Sequence, residues 1–480
     1  MPRRRAPYAC LMQARLHTGR IDSTAQLQRL PQLDTDHARR SPEPPADFAH
    51  PFARFSTVGP ASARLSGALR IRRAVLLLFS NPIPRECLRL WLLCSREWNQ
   101  TLHWLDVSGL ALYFLARIQE KQLEPMLPKP VLHRLRQNLA DNTRRTASML
   151  AESMAIQQKF QDSGLHYAVL KGCSLWPHSV PRLELRSQLD LDYLIAEYDA
   201  PAAQRILEGH GYRLRAISGR SWEFKTDAPP SSLADLYCAS PHRSLELHLE
   251  SPSSSSSLLE RLHHVPFHGI SVPVLRAPDL FIGQGLHLYK HLCSEFYRPA
   301  HILEFRRHVI ARRDDADFWD EVMERGERSL ATSLALGVVT LLTERVMGPF
   351  APDAFRRWTV DRLPRPLRAW VDRYGVRSAV MNFPGSKVYL LLQQQMEALG
   401  IGSRRSARQA LFPRRLPPAI AHPVANESLR AGIRRHCVQG RFVLQRLRFH
   451  LVAGLGYLRE TRSWRQFIAA ETNSPRMTKQ

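Results

Sequence analysis

Apolar positions change their period along the chain. Between residues 86 and 160 they recur at helical spacing among mixed charges. Trp98-Asn-Gln-Thr-Leu-His-Trp104 opens one predicted helix, which runs through Leu110, Phe114 and Ile118. Pro125, Pro128 and Pro130 punctuate the pattern, and a longer helix is expected through Leu132, Leu135, Leu139, Met149, Met154 and Phe160. From 165 to 250 the period becomes two. Tyr167–Leu170 reads as a short buried strand ending at Lys171-Gly172, and Leu189–Ile195 as a second. A helix follows, with Asp199 or a neighbour as its cap and Gly209 and Gly211 as its stop. Tyr212–Ile217, Ser221–Thr226 and Leu245–Leu249 complete the predicted strands, and Pro252 with serines 253–257 forms a flexible loop. Helical spacing returns from Pro278 to about 348, through Leu280, Leu286, Leu288, Phe318, Trp319 and the run Leu334–Leu342. Residues 350–425 are punctuated by proline, and 429–468 form a long helical pattern interleaved with arginine. No internal repeat is visible.

These shifts divide the chain into a basic, disordered extension (1–67), a helical lobe (68–164), a small α/β core (165–276), a second helical lobe (277–350) and a basic C-terminal region (351–480). Met12 or a later residue is an alternative start. With 480 residues and 44% apolar content, the chain has material for a sizeable core. Disulfide miniproteins, collagen and whole-chain disorder are excluded.

Charge adds a constraint. The 68 basic and 43 acidic residues give +25, and all but 8 of the basic residues are arginine, a skew that a GC-rich genome alone would produce. Residues 1–75 carry +8 and residues 401–480 carry +13, leaving +4 for everything between. Basic ends around a near-neutral middle fit a nucleic-acid interface poorly, since that concentrates charge on one face. They suit salt-sensitive contact with an acidic partner.

Seven cysteines without a CxxC pair argue against a structural zinc site or a disulfide framework and point to a reducing, cytoplasmic setting. The basic start lacks an apolar stretch behind it, and the early run Ala74–Phe79 is far short of the ~20 residues a bilayer requires. A soluble protein is expected.

The chemistry concentrates in the alternating segment. Side chains at i and i+2 of a strand share a face. Asp190 and Asp192 should therefore project together, opposite Leu189, Leu191 and Tyr193. Two neighbouring carboxylates repel unless a cation sits between them, and a hard divalent ion such as Mg²⁺ is the usual solution, with Mn²⁺ as an alternative. Glu246, flanked by Leu245 and Leu247, leaves the core of another strand and can supply a third acid. Gly172 permits close approach of backbone to phosphate, while Lys171 and Arg186 offer charge to a triphosphate. His248 shares a strand face with Glu246 and is a candidate substrate contact.

The arrangement Val169-Leu-Lys-Gly172, Arg186-Ser-Gln-Leu-Asp190-Leu-Asp-Tyr-Leu-Ile195 and Leu245-Glu-Leu-His248 resembles the uncharacterised nucleotidyltransferase family of the polymerase-β-like superfamily. The likeness extends to the helical segments Trp98–Phe160 and Pro278–Trp319. It implies an α+β fold, a small mixed-sheet core between N- and C-terminal helical lobes. In that resemblance Asp190, Asp192 and Glu246 hold Mg²⁺, and Lys171-Gly172 stands where better-known relatives have Gly-Ser. The implied reaction transfers a nucleoside monophosphate from an NTP to an acceptor and releases pyrophosphate. Some members are associated with bacterial surface-polysaccharide or peptide natural-product assembly. Two other classes remain open: a scaffold that keeps the fold without turnover, and a nucleic-acid-modifying enzyme that uses the basic termini.

Other conspicuous residues have plainer readings. His287 and His291 share a helix face at a spacing that suits zinc, but with no acidic partner between them a packed pair is expected. His263, His264 and His268 read as surface residues, and Cys173 as a small packing residue with no base beside it. Leu444, Leu447, Leu451 and Leu455 form a stripe close to Arg434, Arg441 and Arg448, which predicts a helix docked on the protein's own body or on a partner.

Overall fold

The structure, a computed structural model, describes residues 66–228, 233, 235–251, 257–267, 269–402, 406–413 and 428–473. The expected extension, up to residue 65, lies outside these residues, as do most of the serine loop and His268.

Helices α1 (Gly67–Leu77), α2 (Ser95–Ser108), α3 (Ala111–Glu120) and α4 (Lys129–Asp162) come first. The single helix expected from Trp98 to Ile118 is two. Gly109 adopts φ +75° and closes α2, and a Cβ there would stand 2.6 Å from the Arg298 guanidinium. Only a glycine meets both demands. The 34-residue α4 joins two cores. Its early residues Val131 and Leu135 pack among helices, and its late residues Ile156 and Phe160 pack against the sheet.

The sheet has seven strands among the described residues: β1 (Tyr167–Val169), β2 (Leu191–Ala196), β3 (Tyr212–Ser218), β4 (Ser221–Thr226), β5 (Ser244–Glu250), β6 (Leu262–Phe267) and β7 (Ile270–Leu275). Their spatial order is β3-β4-β5-β2-β1-β7-β6, with β2/β5 and β1/β7 parallel and the other pairs antiparallel. One face packs Tyr167, Tyr193, Ile195, Phe224, Leu245 and Leu247 beneath α4 and α5 (Ala200–Gly209). Asp199 precedes α5 as expected, yet its carboxylate accepts from the His166 amide at 2.8 Å and makes no cap bond.

Strands β6 and β7 were not expected, and Pro266 and Pro273 explain why. Proline cannot donate to a ladder and normally argues against a strand. Here Pro266 lies on the edge strand β6, and β7 meets the three-residue β1 at one register position, Val169 with Val274. His263 and His264 lie on that edge and are exposed, as expected for surface residues.

Helices α6 (Ala277–Leu292), α7 (Ala300–Ala311), α8 (Ala316–Glu327) and α9 (Leu330–Met347) follow, then α10 (Asp353–Thr359), α11 (Arg365–Trp370), α12 (Val376–Val380), α13 (Tyr389–Glu397), α14 (Ala407–Leu411) and α15 (Leu429–Asn473). One apolar cluster runs from Ala74 and Leu135 on the N-terminal side to Phe281, Leu336, Trp370 and Trp464 on the C-terminal side. Helices that flank the sheet in sequence thus share a core in space. Among the described residues α9 alone is long and apolar enough to cross a membrane, and 67% of it is buried inside the fold.

Helix α15 docks through a face other than the leucine stripe. Phe442, Tyr457 and Trp464 are buried, and Arg446 donates to Glu295 at 2.9 Å. Leu444, Leu447, Leu451 and Leu455 are 58–67% exposed. The stripe faces outward.

Candidate active site

Strand β2 lies between β1 and β5, so both of its edges are paired and every residue in it is buried. Alternation sends Leu191, Tyr193 and Ile195 into the core beneath α4 and Asp192 to the other face, where it is still only 3% exposed. Parallel pairing sets Asp192 directly beside Glu246 and Leu194 beside His248. Antiparallel pairing of β4 with β5 then sets Glu223 beside Glu246. Three carboxylates therefore form a row across β2, β5 and β4, and the sequence reading had not included Glu223. Its signal was present: in Ser221-Trp-Glu-Phe-Lys225 the polar positions alternate with the core residue Phe224. Lys225 pairs with Glu223 at 2.6 Å.

Around Asp192 the contacts are dense. Lys171 Nζ donates to Asp192 Oδ1 at 2.6 Å, and His248 Nε2 lies 3.2 Å from the same oxygen. His248 Nε2 is also 3.7 Å from Glu246 Oε2, and Ser221 Oγ donates to Glu246 Oε1. Donor atoms of Asp192, Glu246 and His248 all fall within 4.8 Å of one another. The sequence argument required a cation between clustered acids. In this arrangement the Lys171 ammonium is that cation. Burial alone would lower the lysine's pKa, but Asp192, then Asp190 and Glu246, raise it above its ordinary value. Conversely, burial would raise the Asp192 carboxyl, whereas Lys171 and the hydrogen bond from His248 hold it below the usual carboxylate range.

Asp190 stands just before β2, whose pairing begins at Leu191 with Leu245. The Gln188 amide donates to the Asp190 carbonyl at 2.7 Å. Asp190 is outside the group of converging donors, but its charge acts on Lys171, Arg145, Arg186 and Arg298.

The turn after β1 has an unusual backbone. Lys171 (φ +65°) and Gly172 (φ +62°) are both left-handed, and the lysine is one of two non-glycine residues with positive φ among the described residues. A strained lysine held onto a buried acid fits a site better than a plain turn. The space over Gly172, expected to face phosphate, is filled by the Gln188 amide, which a Cβ would meet at 2.7 Å. A cleft beside it is lined by Met149, Ser153, Lys171, Gly172, Gln188 and Asp192. Cys173 borders the same cleft, with its thiol pushed up to about 11 by burial, which fits a packing residue.

Arg186 does not reach out to solvent, as a triphosphate contact would. Its Nε donates to Glu304 Oε1 at 3.1 Å, and Glu304 also accepts from Tyr113 Oη at 3.0 Å. A guanidinium this buried requires a carboxylate, and α7 supplies it. Burial would raise the Glu304 carboxyl, but Arg186, His301 and Tyr113 bring it down to about 2. Arg186 still influences the acid row, since Asp190 and Asp192 add to the rise in its own pKa.

Beyond this geometry, residues 95–348 match the family described as Uncharacterised nucleotidyltransferase, more than half of the 480 residues. The chain belongs to that family. The nucleotidyltransferase's mixed sheet between helices is the architecture expected, and nucleotidyl transfer is its general class of function. Among solved structures the match includes an antigenic nucleotidyltransferase-like protein from Paracoccidioides brasiliensis, 13% identical over 41% of this chain and 91% of that one, with a TM-score of 0.24. No curated protein matches.

Proposed function

We propose that this nucleotidyltransferase transfers a nucleoside monophosphate from an NTP to an acceptor and releases pyrophosphate, with Mg²⁺ or Mn²⁺ as its ion. What carries the reading is the convergence of Asp192, Glu246 and His248 around the Lys171 ammonium. The donor set fits a hard divalent ion. Two carboxylates stand side by side, and Glu246 Oε2 is buried and accepts no hydrogen bond. Asp192 and Glu246 would hold the ion, with Asp190 adjoining. When bound, it would neutralise phosphate charge on the NTP.

The chain's own groups do the rest. Lys171 is the exchangeable charge: its ammonium, held by Asp192, would be free to meet phosphate oxygens if the acids held a cation. The acceptor oxygen forms a bond to the α-phosphorus as the bond to the bridging oxygen breaks. Pyrophosphate leaves, and Glu246 takes the acceptor's proton. Arg186, tied to Glu304, contributes its field to the acids. His248 orients both carboxylates through Nε2.

The test is NTP-dependent pyrophosphate release with Mg²⁺ titration on wild type, Asp192→Asn and Asp190→Ala. Equal metal-dependent nucleotide binding in wild type and Asp192→Asn would remove the assignment. The reading as a scaffold draws on one observation, that Lys171 already neutralises Asp192. A stable partner with no turnover of any NTP would favour it.

A further inference from the structure

Within reach of the Lys171 charge stands a second cluster of donors, all of them imidazoles. His287 and His291 sit one turn apart on α6, and His301 projects from the first turn of α7. Their ring centroids are 4.4, 5.1 and 5.1 Å apart, and the rings meet at 63°, 81° and 42°. Rings at such angles do not stack. They bring one nitrogen from each histidine to within 4.8 Å of the others.

Hydrogen bonds set the tautomers of two of the three rings. His291 Nδ1 lies 2.9 Å from the Phe296 carbonyl, and His301 Nδ1 lies 3.5 Å from Glu304 Oε2. Carbonyl and carboxylate oxygens only accept, so both Nδ1 atoms donate and both Nε2 atoms carry lone pairs. A histidine that binds a metal almost always donates its other ring N–H to such a partner. Two of the three imidazoles are thus braced in the way ligands are braced. His287 and His291 are half-buried and His301 is buried.

We propose that His287, His291 and His301 bind one borderline-soft divalent transition ion, Zn²⁺ being the natural occupant, with a fourth position open to water or to an anionic oxygen. An all-nitrogen set selects zinc, cobalt, nickel or copper over magnesium and calcium, which prefer oxygen. Three protein ligands with an open position is the pattern of reactive rather than structural zinc. Tetrahedral zinc sets its donors roughly 3.3 Å apart, so small ring rotations complete the site. The proposal is independent of the ion at Asp192 and Glu246, because the ligand chemistry differs. Glu304 connects the two clusters, since it braces His301 and pairs with Arg186.

The experiment uses the full chain, stripped with chelator and titrated with Co²⁺, then with Zn²⁺ against a chromophoric chelator. With Mg²⁺ in large excess to occupy the carboxylates, one equivalent should bind with the intense visible absorption of tetrahedral cobalt. His287→Asn and His291→Gln should each weaken binding by more than the ~10–100-fold lost with an outer-shell partner. Asp192→Asn should leave the cobalt spectrum unchanged. Circular dichroism identifies which histidine variants remain folded, and the wild-type stoichiometry and spectrum decide the matter independently of them. No saturable binding by wild type, equal binding by a folded histidine variant, or loss of the signal in Asp192→Asn would each overturn the proposal.

Discussion

Asp192 and Glu246 are register partners on adjacent parallel strands, so the sheet itself fixes their separation. No loop movement is needed to assemble them. Asp192→Asn and Glu246→Gln keep shape and remove charge. Each should lower nucleotidyl transfer by more than the ~10–100-fold typical of outer-shell partners. Glu246→Gln should leave the melting temperature unchanged or higher, whereas Asp192→Asn should lower it, because the Lys171 ammonium loses its buried counter-ion. Steady-state pyrophosphate release and a thermal melt on the same samples check this. Retained activity in Glu246→Gln would exclude it as the acceptor's base.

Lys171 follows from the same geometry. Its side chain is one-fifth exposed and the carboxylate it meets is 1% exposed, so removal leaves a buried charge without its counter-ion. Lys171→Met should destabilise the metal-free protein by about 3 kcal/mol. In the proposed site Mg²⁺ would take over the role of the ammonium, so it should recover part of that loss in the variant and much less in wild type. Urea denaturation with and without Mg²⁺ measures both. Equal responses to Mg²⁺ would mean that lysine and ion do not share a place.

The central strands were legible because their alternation is clean: Leu191, Tyr193, Leu245 and Leu247 all enter the core that the pattern assigned to them. The Lys171-Gly172 turn and the approach of Glu246 to Asp192 followed from the same period. What could not be read was set by distant chain. Glu304 lies 118 residues from Arg186, and nothing local to either announces the other. Likewise His301 completes the pair His287 and His291 only because α7 packs across α6. Pro266 and Pro273 hid two strands, since their tolerance depends on which edges are left unpaired. The exposed leucines of α15 misled for a similar reason, as the body it lies on selected Phe442, Tyr457 and Trp464 instead.

Arg186 and Glu304 make a test of where the sheet meets the helices. Glu304 is held at about 2 against an ordinary value of 4.5. In acid the unfolded chain takes up the proton first, so the pair's contribution is complete above about 4.5 and is lost as pH falls toward 2. Arg186→Met should cost about 3–5 kcal/mol by stranding a buried carboxylate, and it should flatten that acid limb. Denaturant midpoints from pH 5 to 3 compare the two proteins. In Arg186→Lys, KM for NTP should change less than stability does. A rise in KM without loss of stability would return Arg186 to direct contact with nucleotide.

A buried imidazole one turn beyond Glu304 on the same face of α7 sets a second pH limb at milder acidity. His308 is 1% exposed, packed against Phe281, Phe318 and His178, with Nδ1 2.9 Å from Gln284 Oε1 and 3.1 Å from Ser179 Oγ. Burial first, then His178 and Arg312, lower its pKa from 6.5 to about 3. Between those values the unfolded chain binds a proton that the folded one refuses, so stability falls as pH drops through that window. One such group contributes a slope of at most about 1.4 kcal/mol per pH unit. His308→Gln retains a polar group for Ser179 and cannot be protonated. The variant should lose part of wild type's fall in denaturant midpoint between pH 7 and 5, even if it is somewhat less stable at pH 7. An undiminished slope would mean that the lability arises from other histidines.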